Sequence, residues 1–169
     1  MKDHFAMFAA YNSWANSLVY EAAAALSEEE LHRSTGAFFG SLMATLNHLM
    51  VADNVWMYRF TGEGFMPSAL GETLHTDFAG LRQARQAMDE RIVRFVDGLT
   101  EERIAGTFTY SAIGKPDRIT QRLGGALAHF FNHQTHHRGQ CHATLTGLGK
   151  PSLTLDLVYF QRAAGQQWL

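Results

Sequence analysis

The chain has 169 residues, a length that suits one domain with a substantial core, and we expect a single domain over residues 1–169. Its formal charge of −2 leaves no basic excess to neutralise a phosphate backbone, which argues against nucleic-acid binding. The single cysteine excludes an internal disulfide and fits a reducing cytoplasm.

Hydrophobic residues recur at helical spacing in four long stretches of the chain. The first stretch runs from about Asp3 to Leu26. Behind it, Ser27 and Glu30 have the spacing of a capping box that opens a short further turn. The second stretch covers roughly Ser41 to Phe60, and Ser41 is its expected N-cap.

The third helix is predicted from about Thr76 to Gly98, with several arginines on the outer face, and the fourth from roughly Gln121 to Leu145. Alternating residues around a Gly/Pro turn predict a small β-hairpin within Ala105 to Thr120. A loop is expected at 61–75 and a short helix near Asp156 to Ala164. Four long helices with two substantial connections indicate an all-α, four-helix bundle that is not simply up-down-up-down.

Three features of composition bear on location and assembly. No stretch approaches ~18 uninterrupted apolar residues, so no membrane span is predicted. The first residues lack the basic and then apolar pattern of a secretory signal, and we expect a cytoplasmic protein. Only 18% of the residues are Asp, Glu, Lys or Arg, which is below the ~25% of typical domains and favours a surface covered by a partner chain.

Nine histidines are the most informative feature, because five of them fall between residues 129 and 142 of the fourth predicted helix. His133 and His137 form a His-x-x-x-His pair, whose side chains are neighbours on a helix and can bind one metal ion. No Glu follows the first His, so the zinc-protease motif is absent. Two ligands do not hold a catalytic metal, and His48 is the best candidate for the third because small apolar residues share its helix face.

The other histidines are assigned weaker roles. His129 and His136 are expected to line the pocket beside the ligands. The remaining four are interpreted as ordinary surface or packing residues: His4, His32, His75 and His142. Simpler interpretations stay open for the ligands as well, since a lone inward His such as His48 is often a hydrogen-bonded core residue, and the pair on the fourth helix can form a polar surface.

A few further polar residues have two interpretations each. Asn12 and Asn16 lie one turn apart and either reach the pocket or serve in packing. Asp53 and Asp156 either orient ligand imidazoles from behind or, for Asp156, cap a helix. Cys141 is expected to be a small buried apolar residue. No phosphate-binding loop, Ser/His/Asp set or paired carboxylates are found.

These motifs resemble the DinB family of metal-dependent bacterial proteins. The resemblance rests on Tyr-Asn-Ser-Trp-Ala-Asn at 11–16, on the segments 45–56 and 155–160, and on Phe-Asn-His-Gln-Thr-His-His-Arg-Gly-Gln at 131–140. It covers nearly the whole chain in order. It implies a four-helix bundle of down-up-up-down topology that is usually homodimeric.

The resemblance also implies that three histidines bind a divalent metal, zinc or nickel most commonly and iron as an alternative, with positions left open for water or substrate. The first ligand of that pattern matches His48, and the His-x-x-x-His pair matches His133 and His137.

Related bundle proteins include thiol-dependent S-transferases and a mycothiol-dependent maleylpyruvate isomerase. By that likeness we expect a metal-dependent enzyme, either a transferase that uses a low-molecular-weight thiol or a hydrolase acting on another small molecule. His136, Gln140 and Asn12 would be the polar groups placed to help, although no catalytic residue is identified. The alternative is a non-catalytic, stress-related, metal-binding dimer, and a fourth protein ligand on the metal would favour it.

Overall fold

Four long helices carry most of the chain, as the hydrophobic spacing predicts. In the computed structural model, which describes residues 1–169, the elements in chain order are α1 (Lys2–Ala23), α2 (Glu28–His32), α3 (Leu42–Thr61), α4 (Phe78–Asp97), α5 (Glu101–Ala105), β1 (Thr107–Ser111), β2 (Arg118–Arg122), α6 (Leu123–Gly147), α7 (Leu157–Ala163) and a final 3-10 turn (Gln166–Trp168). The all-α class with one short hairpin is therefore confirmed.

The helix boundaries follow the local capping chemistry. Ser27 accepts a hydrogen bond from the Glu30 amide and the Glu30 carboxylate accepts one from the Ser27 amide, so the predicted capping box opens α2. Ser41 caps α3 by accepting from the Ala44 amide. The first helix ends at Ala23, three residues before the predicted Leu26, because the chain turns there toward the Ser27 cap.

The direction of each long helix follows from the residues that touch across the bundle. These pairs are Phe5–Phe131 and Asn12–Arg138 for α1 and α6, Asp53–Arg85 and Phe60–Phe95 for α3 and α4, and Trp56–His129 and His48–His137 for α3 and α6. Residue numbers rise together in the first two helix pairs and in opposite senses in the third. The bundle therefore has the down-up-up-down topology, with α1 packed against α4 and α6 and diagonal to α3.

The β-hairpin joins α5 to α6 and packs on the bundle beside the carboxyl-terminal half of α3. Its strands are antiparallel, with Thr107 opposite Arg122 and Ser111 opposite Arg118. The second strand extends to Arg122, two residues beyond the predicted hairpin, and α6 accordingly begins at Leu123. None of the helices is both long enough and apolar enough to cross a membrane.

A buried polar network crosses the middle of the bundle. Arg85 of α4 is 2% exposed, and its two terminal nitrogens lie 2.5 Å from Asp53 and 2.9 Å from Asp89. Asn16 donates to Asp89 at 2.9 Å, which ties α1 into the same network. Arg85 is therefore not among the outward arginines of this helix, because two buried carboxylates neutralise its charge inside the bundle.

Candidate metal centre

Three histidines from two helices converge beside the bundle axis. His48 of α3 and His133 and His137 of α6 each offer a ring nitrogen, and these nitrogens all lie within 4.8 Å of one another. The antiparallel packing of α3 on α6 brings His48 opposite the pair. His48 Nε2 lies 3.4 Å from His133 Nε2.

Hydrogen bonds behind the rings set which nitrogen is free. The Leu70 carbonyl accepts from His48 Nδ1 at 3.2 Å, and Gln140 Oε1 accepts from His137 Nδ1 at 2.7 Å. Because a carbonyl oxygen can only accept, each Nδ1 carries the proton, and each Nε2 of a neutral ring keeps its lone pair. Both rings are thus held in a fixed orientation by the polar group behind them.

The donor set fits a divalent transition metal. Nitrogens placed ~2.0–2.1 Å from a tetrahedral zinc ion lie roughly 3.3–3.4 Å apart, and the His48 and His133 nitrogens are separated by 3.4 Å. Imidazole suits zinc, nickel, copper and iron alike, so the donors alone do not select one of them. Three protein ligands are also the number found where a position is left for water or substrate.

The electrostatic environment keeps all three rings neutral at neutral pH. Burial lowers the pKa of His48 and of His137. Burial, followed by the neighbouring His137 and His48, lowers the pKa of His133 to about 3. Neutral imidazoles are the form that binds metal, so protons compete weakly for this site.

Acid should destabilise the metal-free protein through these rings. Their pKa values in the folded chain lie below the ordinary value of 6.5. Between pH 6.5 and 3 these rings therefore bind more protons in the unfolded chain than in the folded chain. The free energy of unfolding, measured by urea denaturation, should therefore decrease over this range. In a His133→Asn variant the decrease between pH 6.5 and 5 should be smaller, and curves that run parallel to the wild type would contradict the assignment.

Two loops complete the surroundings of the three rings. Phe39, in the segment between α2 and α3, stacks on His48 with ring centroids 4.0 Å apart and lies 5.5 Å from His137. Leu70, whose carbonyl holds His48, lies in the segment between α3 and α4. Both were missed from sequence, because a loop residue carries no periodic signal and a backbone carbonyl carries no residue-type signal.

The two histidines predicted to line the pocket flank the group on either side. His136 accepts from Gln140 Nε2 at 3.2 Å, and its ring centroid is 4.7 Å from that of His137. His129 is exposed, with its ring 5.9 Å from that of His133. Neither belongs to the group of three. His142 accepts from the Leu153 amide, a packing role.

Asn12 and Asp53, which were expected either to serve the histidines or to have structural roles, belong to the buried polar network inside the bundle. Asn12 accepts from Arg138 at 2.6 Å, and the Asp53 carboxylate accepts from Arg85 and Gln134 rather than from an imidazole. The hypothesis that Asn12 or Asp53 serves the histidines directly is therefore wrong. Asp156 precedes α7 without a side-chain capping bond, and Cys141 is buried as expected.

Known proteins can be compared with this geometry. The family model described as DinB family matches residues 1–168. The chain belongs to the DinB family. "Protein DinB" of Bacillus subtilis (strain 168) is 27% identical over 155 residues, which cover 86% of this chain and 87% of that protein. The resemblance drawn from the motifs is confirmed, and in this DinB-family chain the motif histidines lie together in space.

Proposed function

We propose that this DinB-family protein binds a divalent metal ion through His48, His133 and His137 and is a metal-dependent enzyme. The observation that carries the proposal is the convergence of three ring nitrogens within 4.8 Å, on rings held from behind by Leu70 and Gln140. Zinc or nickel is the proposed metal, with iron as the alternative; the resemblance to the DinB family suggests this choice, and neutral imidazoles suit all three cations.

A divalent cation held there would supply Lewis acidity and lower the pKa of water or a thiol at its open position. The chain's own groups would do the rest. Phe39 covers His48 and excludes water from that side. Gln140 accepts from His137 with its oxygen and donates to His136 Nε2 with its nitrogen, which places the N–H of the neutral His136 ring on Nδ1, where it can donate at the exposed edge.

A cavity that none of the three histidines lines begins three residues beyond His137, at Gln140. It has a volume of about 550 Å³ and extends from Gln140 along α6 beneath residues 33–38. Space of this size admits a small molecule. Among enzyme classes we favour a transferase that uses a low-molecular-weight thiol, by analogy with related bundle proteins, and place hydrolysis second.

The test is a screen of zinc-loaded and nickel-loaded protein against electrophiles in the presence of several small thiols. Thiol consumption should exceed that of the metal-free protein and of a His133→Ala variant. If no pair of thiol and electrophile reacts but esters or amides are cleaved, the hydrolase is correct. Inactivity in both assays with full metal content would support the non-catalytic dimer.

We also propose that the protein is a homodimer. Only 18% of its residues are charged, and Val158 and Tyr159 of α7 are 39% and 44% exposed. Sedimentation equilibrium at micromolar concentration should give twice the chain mass. A Tyr159→Glu variant should shift the mass toward the monomer if α7 lies in the interface, whereas a wild type that sediments at the chain mass would contradict the dimer.

A further inference from the structure

Arg59 of α3 is held in place by aromatic rings and has no polar partner. Its guanidinium carbon lies 4.7 Å from the centre of the Trp56 ring and 4.5 Å from that of the Tyr110 ring on β1. Its Nε is buried without a hydrogen-bond partner. A guanidinium held against two neighbouring rings, whose centroids lie 5.6 Å apart, is oriented before any ligand arrives.

The two buried arginines, Arg85 and Arg138, and the half-buried Arg91 all have polar partners. Arg85 lies between two carboxylates, Arg138 donates to Asn12, and Arg91 donates to the Glu63 carbonyl. Arg59 is half-buried, and burial lowers its pKa with only the Tyr110 phenol acting against that effect. No carboxylate of the chain therefore pairs with this cation, although the guanidinium has already lost part of its hydration shell.

The position of Arg59 connects it with the histidine group. Arg59 lies eleven residues after His48, which places it on the same face of α3 and ~16 Å further along the helix axis. Trp56 contacts the His129 ring at 5.1 Å, and the His129 ring lies 5.9 Å from the His133 ring. A continuous row of flat side chains thus leads from the three histidines to the unpartnered guanidinium.

We propose that Arg59 binds the oxyanion, a carboxylate or a phosphate, of an elongated small-molecule substrate whose reacting end lies at the three histidines. The inference rests on the proposed function, because it takes the histidine group as the reacting end. The planar fork of a guanidinium matches either oxyanion through two parallel hydrogen bonds. Trp56 and the exposed His129 ring offer a surface for the middle of such a molecule.

The test uses ω-mercaptoalkanoic acids of increasing chain length, bound to zinc-loaded protein and measured by calorimetry. The thiol should bind the metal and the carboxylate should bind Arg59. Because both ends can bind at once only when the chain spans the two sites, the affinity should peak at one chain length. Arg59→Gln should weaken the best acid by about 10-fold or more, since hydrogen bonds to charged groups are involved, and should not change its affinity for the methyl ester. Arg118→Gln removes the same charge from an exposed site on β2 and is the matched control.

Equal weakening by Arg59→Gln and Arg118→Gln, or equal binding of the acid and its ester by the wild type, would overturn the proposal. Arg59→Lys keeps the charge without the fork and should restore only part of the affinity. An ω-mercaptoalkyl phosphate of matched length distinguishes phosphate from carboxylate by its relative affinity.

A second measurement separates this inference from the proposed function. The buried Arg59 Nε–H should give an NMR signal that shifts when acetate or inorganic phosphate is added, with or without zinc. If zinc or thiol binding fails while this shift is seen, the proposed function is wrong and the anion site stands. If zinc and alkanethiols bind but the Arg59 signal does not move with either anion, the anion site is wrong.

Discussion

Replacing His133 with alanine should abolish stoichiometric zinc or nickel binding. The His133 Nε2 lies 3.4 Å from that of His48 and its ring centroid lies 4.3 Å from that of His137, and two imidazoles alone do not hold a catalytic metal. Removing a group that only orients a ligand costs 10–100-fold in metal affinity, so loss of a ligand should cost at least ~100-fold. Metal content after dialysis, measured by elemental analysis, is the readout.

Two variants on the same helix provide the controls. His129→Ala removes an exposed imidazole four residues from His133, and His142→Ala removes one that accepts from the Leu153 amide. Both should keep full metal content. Gln140→Ala should give an intermediate loss, because His137 then lacks the acceptor for its Nδ1 proton. Unchanged metal content in His133→Ala would show that the site lies elsewhere.

The histidine group could be found from sequence because helical geometry is regular. Two side chains four residues apart must be neighbours on α6, and His48 stands out as an inward imidazole among small residues on α3. The convergence of α3 with α6 did not follow from spacing, and the resemblance to the DinB family supplied it. Phe39 and the Leu70 carbonyl were not predictable, since their positions depend on how two loops fold over the bundle.

The interior network shows a different limit. Arg85 lies on the stripe of α4 that also contains Leu81, Met88 and Ile92, so its spacing did indicate an inward position. An unpaired buried charge is costly, and the sequence did not show which residue would pair with Arg85. The partner, Asp53, lies on another helix, and only the register of α3 against α4 brings the two charges together.

The network and the histidine group occupy different faces of the same helices. On α6, Gln134 and Arg138 face inward and contact Asp53 and Asn12, while the neighbouring residues His133 and His137 face the site. The polar contacts inside the bundle therefore fix the rotation of α6. That rotation in turn decides whether the ring nitrogens converge with His48.

Arg85→Met should be the most destabilising single substitution away from the apolar core. It leaves the carboxylates of Asp53 and Asp89 buried without their cation, and breaking a buried pair in this way costs about 3–5 kcal/mol. For a chain of this size we expect a fall in Tm of roughly 6–20 °C. Differential scanning calorimetry and urea denaturation at pH 7.5 measure both quantities.

The pH dependence of Arg85→Met gives the decisive check. Burial already raises the pKa of Asp89 to about 6 in the wild type, and loss of the guanidinium should raise it further. Between the ordinary value of 3.8 and the folded value, Asp89 binds more protons in the folded chain than in the unfolded chain, so the contribution of this group to stability increases as the pH falls. The loss of unfolding free energy in Arg85→Met should thus be smaller at pH 5 than at pH 7.5.

Arg82→Met, at an exposed position of the same helix, is the control. Its unfolding free energy should stay within ~0.5 kcal/mol of the wild type at both pH values. A deficit below ~1 kcal/mol in Arg85→Met would contradict the network's role, since the buried carboxylates would then be satisfied without it.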